Sequence, residues 1–170
     1  SIAQLTSYAI ISLAAELAPD QPRFLATRRH SIFLRSLVRS FVGIFPRAEI
    51  IGEFGLLILD SDTDVGAFLG KGGENVRALA ELAGLTSIKV AHEPSSPRPE
   101  ARLKSAIEQL TPLRPADVAF IPPAGERDPW TIAVRDEDAK RLLGRNGNRL
   151  TMIARLAGVR VRVESRRMGT

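Results

Sequence analysis

The sequence has no cysteine and only two histidines, His30 and His92, among its 170 residues. Without cysteine the chain cannot form a disulfide, use a cysteine nucleophile, or bind zinc or an iron–sulfur cluster through thiolates. Two histidines that lie far apart in the sequence also argue against a histidine metal site. We therefore expect no metal ion and no other cofactor.

Aromatic residues make up only 5% of the chain, and no apolar run approaches the roughly 20 residues that span a bilayer. Few aromatics disfavour recognition of bases by stacking on an aromatic sheet and favour an aliphatic groove. The lack of a membrane span and of a signal-peptide pattern predicts a cytoplasmic protein that does not act at a membrane. The chain begins at Ser1 rather than at methionine, as expected if an upstream segment has been removed.

What the sequence does contain is an uneven distribution of charge. The net charge is +5, yet residues 139–170 hold nine Lys or Arg residues and a single acid, Glu164. Residues 23–47 hold six arginines and no acid, whereas acids concentrate in 60–64 and 126–138. A basic face of this kind attracts a phosphate backbone and releases its counterions. An ordinary solvated basic surface is the alternative explanation.

One short loop occurs twice, as Gly-Lys-Gly-Gly at 70–73 and Gly-Arg-Asn-Gly at 144–147. A shift of 74 positions aligns the two loops, and it also aligns Leu-Ala-Gly at 82–84 with the same tripeptide at 156–158. A single Gly-x-x-Gly is a weak signal, because a glycine-capped turn between helices explains it equally well. Two copies in register indicate an internal repeat.

The elements around the two loops repeat as well. In the first unit, apolar spacing and Gly or Pro stops predict helices over 2–17 and 31–45, strands over 48–53 and 56–59 joined around Gly52 and Gly55, helices over 64–69 and 74–83, and a strand over 87–91. After a proline-rich break at 94–99 they predict a helix over 100–110, strands over 117–121 and 130–134, helices over 137–143 and 148–157, and a strand over 159–164. Acids before the loops, Asp62, Asp136 and Glu137 among them, are expected to cap the preceding helices.

We accordingly divide the chain into an N-terminal helical extension (1–29), a first domain (30–94) and a second domain (95–170). The order helix–strand–strand–helix–loop–helix–strand, with Gly-x-x-Gly between the helices, resembles the type II KH domain. That family has an α+β fold in which three helices pack on a three-stranded sheet. The expected architecture is therefore two type II KH domains preceded by the helical extension.

Residues in and beside the loops, and a segment that leads into the β-like residues 117–121, indicate which family of KH proteins the chain resembles most specifically. Gly-Arg-Asn-Gly at 144–147, Asn-Val-Arg at 75–77 and Pro-Ala-Asp-Val-Ala at 115–119 are similar to segments of the tandem KH pair in the NusA family of transcription factors. The second unit differs by having Arg-Leu-Thr at 149–151 in place of Asn-Val-Arg. The resemblance covers residues 31 to about 167.

The resemblance implies two clamps for single-stranded RNA and a role in transcription elongation, termination or antitermination, with RNA polymerase or other transcription factors as further partners. Glycines would let the loop backbone approach a phosphodiester, and nearby cations and helix N-termini would attract it. The predicted RNA-binding residues are Gly70, Lys71, Gly72, Gly73, Asn75, Arg77, Lys89, Gly144, Arg145, Asn146, Gly147, Arg149, Arg160 and Arg162. Beside an aliphatic groove for the bases we place Val65, Phe68, Val76, Ala139, Leu142 and Leu150.

Other functions remain open at this point. A ribosome-associated or ribosome-assembly KH protein is one alternative, and a protein-interaction module with degenerate KH units is another. Arg160 and Arg162 alternate with valines and fit the solvent face of a strand equally well. We predict neither an enzyme nor a small-molecule substrate site: residues 66–72 lack the spacing and the Ser or Thr of a P-loop, and the aspartates at 60–64 lack the glycine and glutamate positions of a calcium loop.

Overall fold

A computed structural model describes residues 47–60 and 73–166 of the chain. The chain divides into two compact units, Ser1–Glu93 and Pro94–Thr170. The helices predicted over 2–17, 31–45 and 64–69 lie outside the described residues. No helix in the described ranges combines the length and the apolar character needed to cross a membrane. The described elements of both units form an α+β fold.

The first unit contains a three-stranded mixed sheet. Its strands are β1 (Arg47–Ile51), β2 (Phe54–Leu59) and β3 (Ser87–His92), with β2 in the centre. β1 runs antiparallel to β2, and β2 runs parallel to β3. A tight turn at Gly52, with φ of 59°, joins β1 to β2. The sequence pattern places Gly55 in that turn as well, and this prediction is wrong. Gly55 is a buried residue inside β2.

Helix α1 (Glu74–Ala83) precedes β3 and has the bounds that the sequence predicts. Gly73 stands before the helix and Gly84 after it, and both have the left-handed conformation that glycine adopts without a steric penalty. The amide of Leu85 donates to the carbonyl of Ala80 at 2.9 Å, which is the six-to-one bond of a Schellman motif. The glycine stop therefore ends α1 by satisfying carbonyls that the helix leaves open.

The second unit repeats this plan with more of its helices described. Helix α2 (Pro99–Leu110) leads to strands β4 (Ala119–Ile121) and β5 (Trp130–Arg135), then to α3 (Asp136–Leu143), α4 (Asn148–Ala157) and strand β6 (Val161–Arg166). β5 is central, antiparallel to β4 and parallel to β6. α1 and α4, like β3 and β6, are 74 positions apart, whereas β2 and β5 are 76 apart. The internal repeat is thus a repeat of structure as well as of sequence.

Two predicted strands start later than the sequence indicates. The strand predicted over 117–121 begins at Ala119, because Pro115–Asp117 form a 3-10 turn in which the Asp117 amide donates to the Arg114 carbonyl at 2.9 Å. The strand predicted over 159–164 is β6, which begins at Val161. The Val159 amide is used to end α4, since it donates to the Ala154 carbonyl at 3.2 Å. Hydrogen bonds at these boundaries decide positions that periodicity alone leaves undetermined.

Each unit buries its own set of aliphatic side chains. In the second unit the fully buried residues come from every helix and from the central strand, namely Leu103, Ile107, Ile132, Leu142, Ile153 and Leu156. α2 packs on α4, and Arg102 joins them because its Nε donates to the carbonyl of Ala157 at 2.8 Å. The same guanidinium donates to the carbonyl of Pro97 at 2.8 Å. Arg102 thereby ties the end of α4 to the chain that enters α2.

Candidate nucleic-acid interface

The loop between α3 and α4 is an exposed turn built from unusual backbone conformations. Residues Arg145–Gly147 form a single 3-10 turn. Gly144 has φ 68° and ψ −168°, Gly147 has φ 73°, and Asn146 has φ 55°, which is rare for a residue with a side chain. The side chains of Arg145 and Asn146 are exposed. The loop therefore exposes a cation and a side-chain amide to solvent, on a backbone in which three of four residues have positive φ.

The two glycines of this loop have different reasons to be glycine. A Cβ on Gly144 would lie 2.6 Å from the Cβ of Arg149, so the loop packs there against the first turn of α4. A Cβ on Gly147 would meet nothing within 4 Å, so that side of the backbone is open. Gly147 therefore leaves room for a phosphodiester to approach the backbone, as predicted from the sequence, whereas Gly144 is needed for packing within the protein itself.

The N-terminus of α4 faces the same loop. Gly147 occupies the N-cap position and has no side chain that could bond the first amides of the helix. The Thr151 hydroxyl donates to the Gly147 carbonyl at 3.2 Å and therefore does not bond those amides. The Asn148 amide donates to the carbonyl of Arg145, and no side chain at the N-cap bonds the amides that follow it. Those amides and the positive end of the helix dipole favour an anion at this place. The exposed Arg145 adds a full positive charge beside them.

Arg149 lies in the first turn of α4, but its guanidinium turns back toward α3. Its Nη1 donates to the carbonyl of Arg141 at 2.6 Å. Arg141 is in the last turn of α3, where carbonyls lack partners within the helix. The structure thus brings Arg145, Asn146 and Arg149 together at one loop, with the Arg149 side chain half-buried.

Arg160 and Arg162 are predicted RNA-binding residues that lie elsewhere on the second unit. Arg160 precedes β6 rather than alternating within a strand, as the sequence pattern suggested, and its side chain bonds the carbonyl of Arg127 in the β4–β5 connection. Arg162 pairs with Thr131 across β5 and β6, and its Nε donates to the Thr131 hydroxyl at 2.7 Å.

The two sheet faces can be told apart by their neighbours. Phe120 pairs with Ile132, and its ring lies 5.9 Å from the Nζ of Lys104 on α2. Because residues alternate between faces, Ile132 is on the face that meets the helices, and Thr131 with Arg162 is on the opposite face. The loop and Arg162 are therefore on different sides of the sheet.

Ion pairs offset the positive charge of at least five cations among the described residues of the second unit, namely Lys104, Arg114, Arg135, Arg141 and Arg166. Arg141 pairs with Asp138 at 3.4 Å, and Arg166 pairs with Glu164 at 3.6 Å. Arg149, Arg160 and Arg162 instead bond neutral oxygens, and each keeps its charge. Lys140, one turn before the loop, is exposed. Lys140, Arg145 and Arg149 each place a positive charge in the loop or within about one turn of it.

In the first unit the structure describes only part of the predicted site. Gly70, Lys71 and Gly72 lie outside the described residues. Gly73, with φ 74°, is the N-cap of α1, the position that Gly147 has before α4. Asn75 is in the first turn of α1, and the exposed Arg77 follows it. Lys89 is exposed on β3, where it pairs with Leu56 of the central strand.

Some residues placed beside the groove are core residues instead. Leu142 is completely buried, and Val76 is 7% exposed. Ala139 and Leu150 are half-buried, and Val65 and Phe68 lie outside the described residues. The predicted capping by Asp136 and Glu137 is also wrong in detail. The N-cap of α3 is Arg135, no side chain bonds there, and the two acids stand in the first turn, where they still complement the dipole.

Two structural roles were not foreseen from the sequence. The bond from Arg149 to the Arg141 carbonyl depends on how closely two helices approach, which no spacing rule specifies. The bond from Arg162 to Thr131 depends on the register of parallel strands that are far apart in sequence. The available signal was Thr131 among the apolar residues 130–134 of β5, because a buried hydroxyl needs a hydrogen-bond partner.

Comparisons with known proteins give a fold and no function. No protein-family model matches the chain, and no curated protein matches it. The chain is similar to a solved structure described as the crystal structure of APE1850, with 19% sequence identity and a TM-score of 0.55. That match covers 81% of this chain and 100% of the other. At this level of identity the likeness concerns the arrangement of elements alone.

Proposed function

We propose that this protein binds single-stranded RNA through two KH-like Gly-x-x-Gly loops, as a NusA-like factor in transcription elongation, termination or antitermination. The observation that carries the proposal is the loop at 144–147. It joins an open glycine backbone at Gly147, an uncapped helix N-terminus and the exposed cation of Arg145 in one turn. These are the groups that bind a phosphodiester without regard to its bases.

The repeat supports a pair of such loops rather than one. Gly73 and Gly147 have nearly the same φ before helices of ten residues, and both helices end at a left-handed glycine. Both sheets have the same order and the same pairing, antiparallel then parallel. In KH domains a Gly-x-x-Gly loop clamps about four nucleotides of backbone, so a tandem pair would engage about eight.

The role in transcription rests on the sequence resemblance of the loops to the NusA family. Co-purification of the intact protein with RNA polymerase supports that role. Co-purification with ribosomal subunits instead would favour a function in ribosome assembly, and retention of protein partners without RNA would favour an interaction module.

The test of RNA binding places acids in the centre of each loop. Arg145→Asp with Asn146→Asp removes a cation and introduces repulsion toward phosphate, while aspartate tolerates the left-handed backbone of position 146. Lys71→Asp with Gly72→Asp is the matched change in the first unit. We expect each double variant to bind a fluorescent single-stranded RNA at least roughly tenfold more weakly, a loss of about 1.4 kcal/mol, with the thermal melting curve unchanged.

A control variant changes the charge in the opposite sense at a residue outside both loops. Glu108 is exposed on α2, and Glu108→Lys raises the net charge by two without changing a residue of either loop. It should leave RNA affinity unchanged or slightly higher. If both double variants bind RNA as tightly as the parent protein, the clamp hypothesis is wrong.

A further inference from the structure

Arg149 makes two contacts that both bear on the conformation of the loop. The Cβ of Arg149 packs against Gly144, so closely that a Cβ added to Gly144 would lie only 2.6 Å from it. Its guanidinium reaches across to donate to the carbonyl of Arg141 at 2.6 Å. A single side chain on α4 thus contacts the residue that opens the loop and the last turn of α3.

Across the end of α3, no backbone amide of the described residues donates to the carbonyl that Arg149 bonds. The Gly144 amide already donates to the carbonyl of Lys140 at 2.9 Å, which closes the last turn of α3. The next carbonyl along, that of Arg141, takes the Arg149 guanidinium instead. A cation at the C-terminus of a helix is also favoured by the helix dipole. Arg149 therefore links the end of one helix to the beginning of the next.

This link spans a turn in which one residue with a side chain, Asn146, has the left-handed conformation. Three of its four residues, Gly144, Asn146 and Gly147, have positive φ, and Asn146 has a side chain. Such conformations persist where surrounding contacts over-determine them. Arg149 supplies such a contact, and its head group is directed toward α3, in contrast to the exposed side chain of Arg145.

We propose that Arg149 is a positioning residue of the second loop: it holds the turn at 144–147 in its RNA-binding conformation and does not itself contact phosphate. The inference rests on the proposed function of the loop. The residue at the aligned position of the first unit, 74 places earlier, is Asn75, which has no guanidinium. The first unit therefore has no arginine at the aligned position.

The experiment compares Arg149→Met with Arg145→Met in the intact chain, since both remove one charge and keep an unbranched stem. Amide hydrogen exchange of the RNA-free protein is measured by NMR at Gly144 and Asn148, whose amides donate to the carbonyls of Lys140 and Arg145. Affinity for a mixed-sequence single-stranded RNA of about 12 nucleotides, enough for both loops, is measured over a series of salt concentrations. Amides of β5 serve as the folding control.

We expect Arg149→Met to accelerate exchange at Gly144 and Asn148 by roughly five- to tenfold, because a charge-assisted hydrogen bond is lost, and to leave β5 unchanged. Its affinity should fall several-fold at every salt concentration with the same slope of log affinity against log salt. Arg145→Met should leave exchange unchanged and make the slope shallower by about 0.7, the value for one phosphate contact on a single strand. Arg149→Gln, with a side chain too short to reach Arg141, should behave like Arg149→Met.

A slope that becomes shallower by about 0.7 in Arg149→Met, with unchanged exchange in the loop, would identify Arg149 as a phosphate ligand and overturn the proposal. Unchanged exchange in both Arg149 variants would overturn it as well. If the parent protein binds no RNA, the proposed function fails, while the exchange measurement still decides whether Arg149 holds the loop.

Discussion

The two sheets share strand order and pairing, yet one face differs between them. In the first unit this face carries Leu57 and Leu59, both completely buried, with Ile88 beside them on β3. In the second unit the corresponding positions of the central strand are Ala133 and the exposed Arg135, and β6 adds Arg162. The backbone plan has been kept while this face buries leucines in the first unit and exposes arginines in the second. A repeat of fold therefore does not imply the same side-chain chemistry on each face.

The loops differ in the same way. The first, Gly-Lys-Gly-Gly, has three glycines, whereas the second, Gly-Arg-Asn-Gly, has two and is followed by Arg149. Each extra glycine increases the conformational freedom that binding must remove. The first loop also follows aspartates at 60, 62 and 64 and precedes Glu74, while the second lies in the segment with nine cations and one acid. Phosphate should bind more strongly at the second loop, so its acid variant should lose more affinity than that of the first.

The largest expected effect separates the two cores. Leu57→Ala and Leu142→Ala each remove a fully buried side chain and should lower the free energy of unfolding by about 2–5 kcal/mol. Trp130, the single tryptophan, belongs to the second unit, so its fluorescence follows that unit, whereas circular dichroism follows both. In urea, Leu142→Ala should lower the midpoint of the fluorescence transition, and Leu57→Ala should lower only a circular-dichroism transition.

Lys140 is exposed, so Lys140→Ala is the control. It should change the free energy of unfolding obtained from either transition by less than about 0.5 kcal/mol. If Leu57→Ala lowers the Trp130 midpoint as much as Leu142→Ala does, the two units unfold as one and do not have independent stabilities.

An intermediate effect distinguishes the glycines. Gly144→Ala should destabilise the second unit by about 2–4 kcal/mol, because φ 68° with ψ −168° is accessible essentially to glycine alone and because the new Cβ would clash with Arg149. Gly147→Ala, in open space, should cost only about 1–2 kcal/mol for its left-handed backbone. Both are measured by Trp130 fluorescence in urea. Gly73 has the conformation of Gly147, so Gly73→Ala should destabilise the first unit by a similar amount. Trp130 fluorescence should not detect this loss, because Trp130 belongs to the second unit. Equal losses at 144 and 147 would contradict the packing role of Gly144.

Periodicity and glycine stops were sufficient to predict much of the described fold. The bounds of α1 and α4 agree with the sequence analysis, because left-handed Gly84 and Gly158 end both helices and Gly73 and Gly147 precede them. Strand ends were less predictable. β6 starts two residues late because the Val159 amide serves the end of α4, a competition between local hydrogen bonds that hydrophobic alternation does not reveal.

Side-chain roles at the candidate site were harder to predict than the loop itself. Leu142 has the apolar character of a groove residue and of a core residue alike, and only the packing of α3 shows that it is buried. Arg149 and Arg162 share the same chemical type, yet one bonds a helix carbonyl and the other a strand hydroxyl. Sequence alone indicated that these arginines are basic. Their direction depends on contacts between elements far apart in sequence.

The smallest expected effect tests whether the charged sheet face of the second unit takes part in binding. Arg145→Gln and Arg162→Gln each remove one positive charge, the first at the loop and the second on the face opposite the helices. Arg145→Gln should weaken single-stranded RNA binding roughly fivefold and leave stability unchanged, because only one phosphate contact is lost. Arg162→Gln should lower stability by about 1 kcal/mol, since it removes the donor to the Thr131 hydroxyl, whose residue is only 3% exposed. Its RNA affinity should change by less than about twofold, through the long-range field alone.

Fluorescence titration with RNA and urea unfolding measure the two quantities in the same samples. A loss of affinity in Arg162→Gln as large as that in Arg145→Gln would show that RNA also contacts the far side of the sheet.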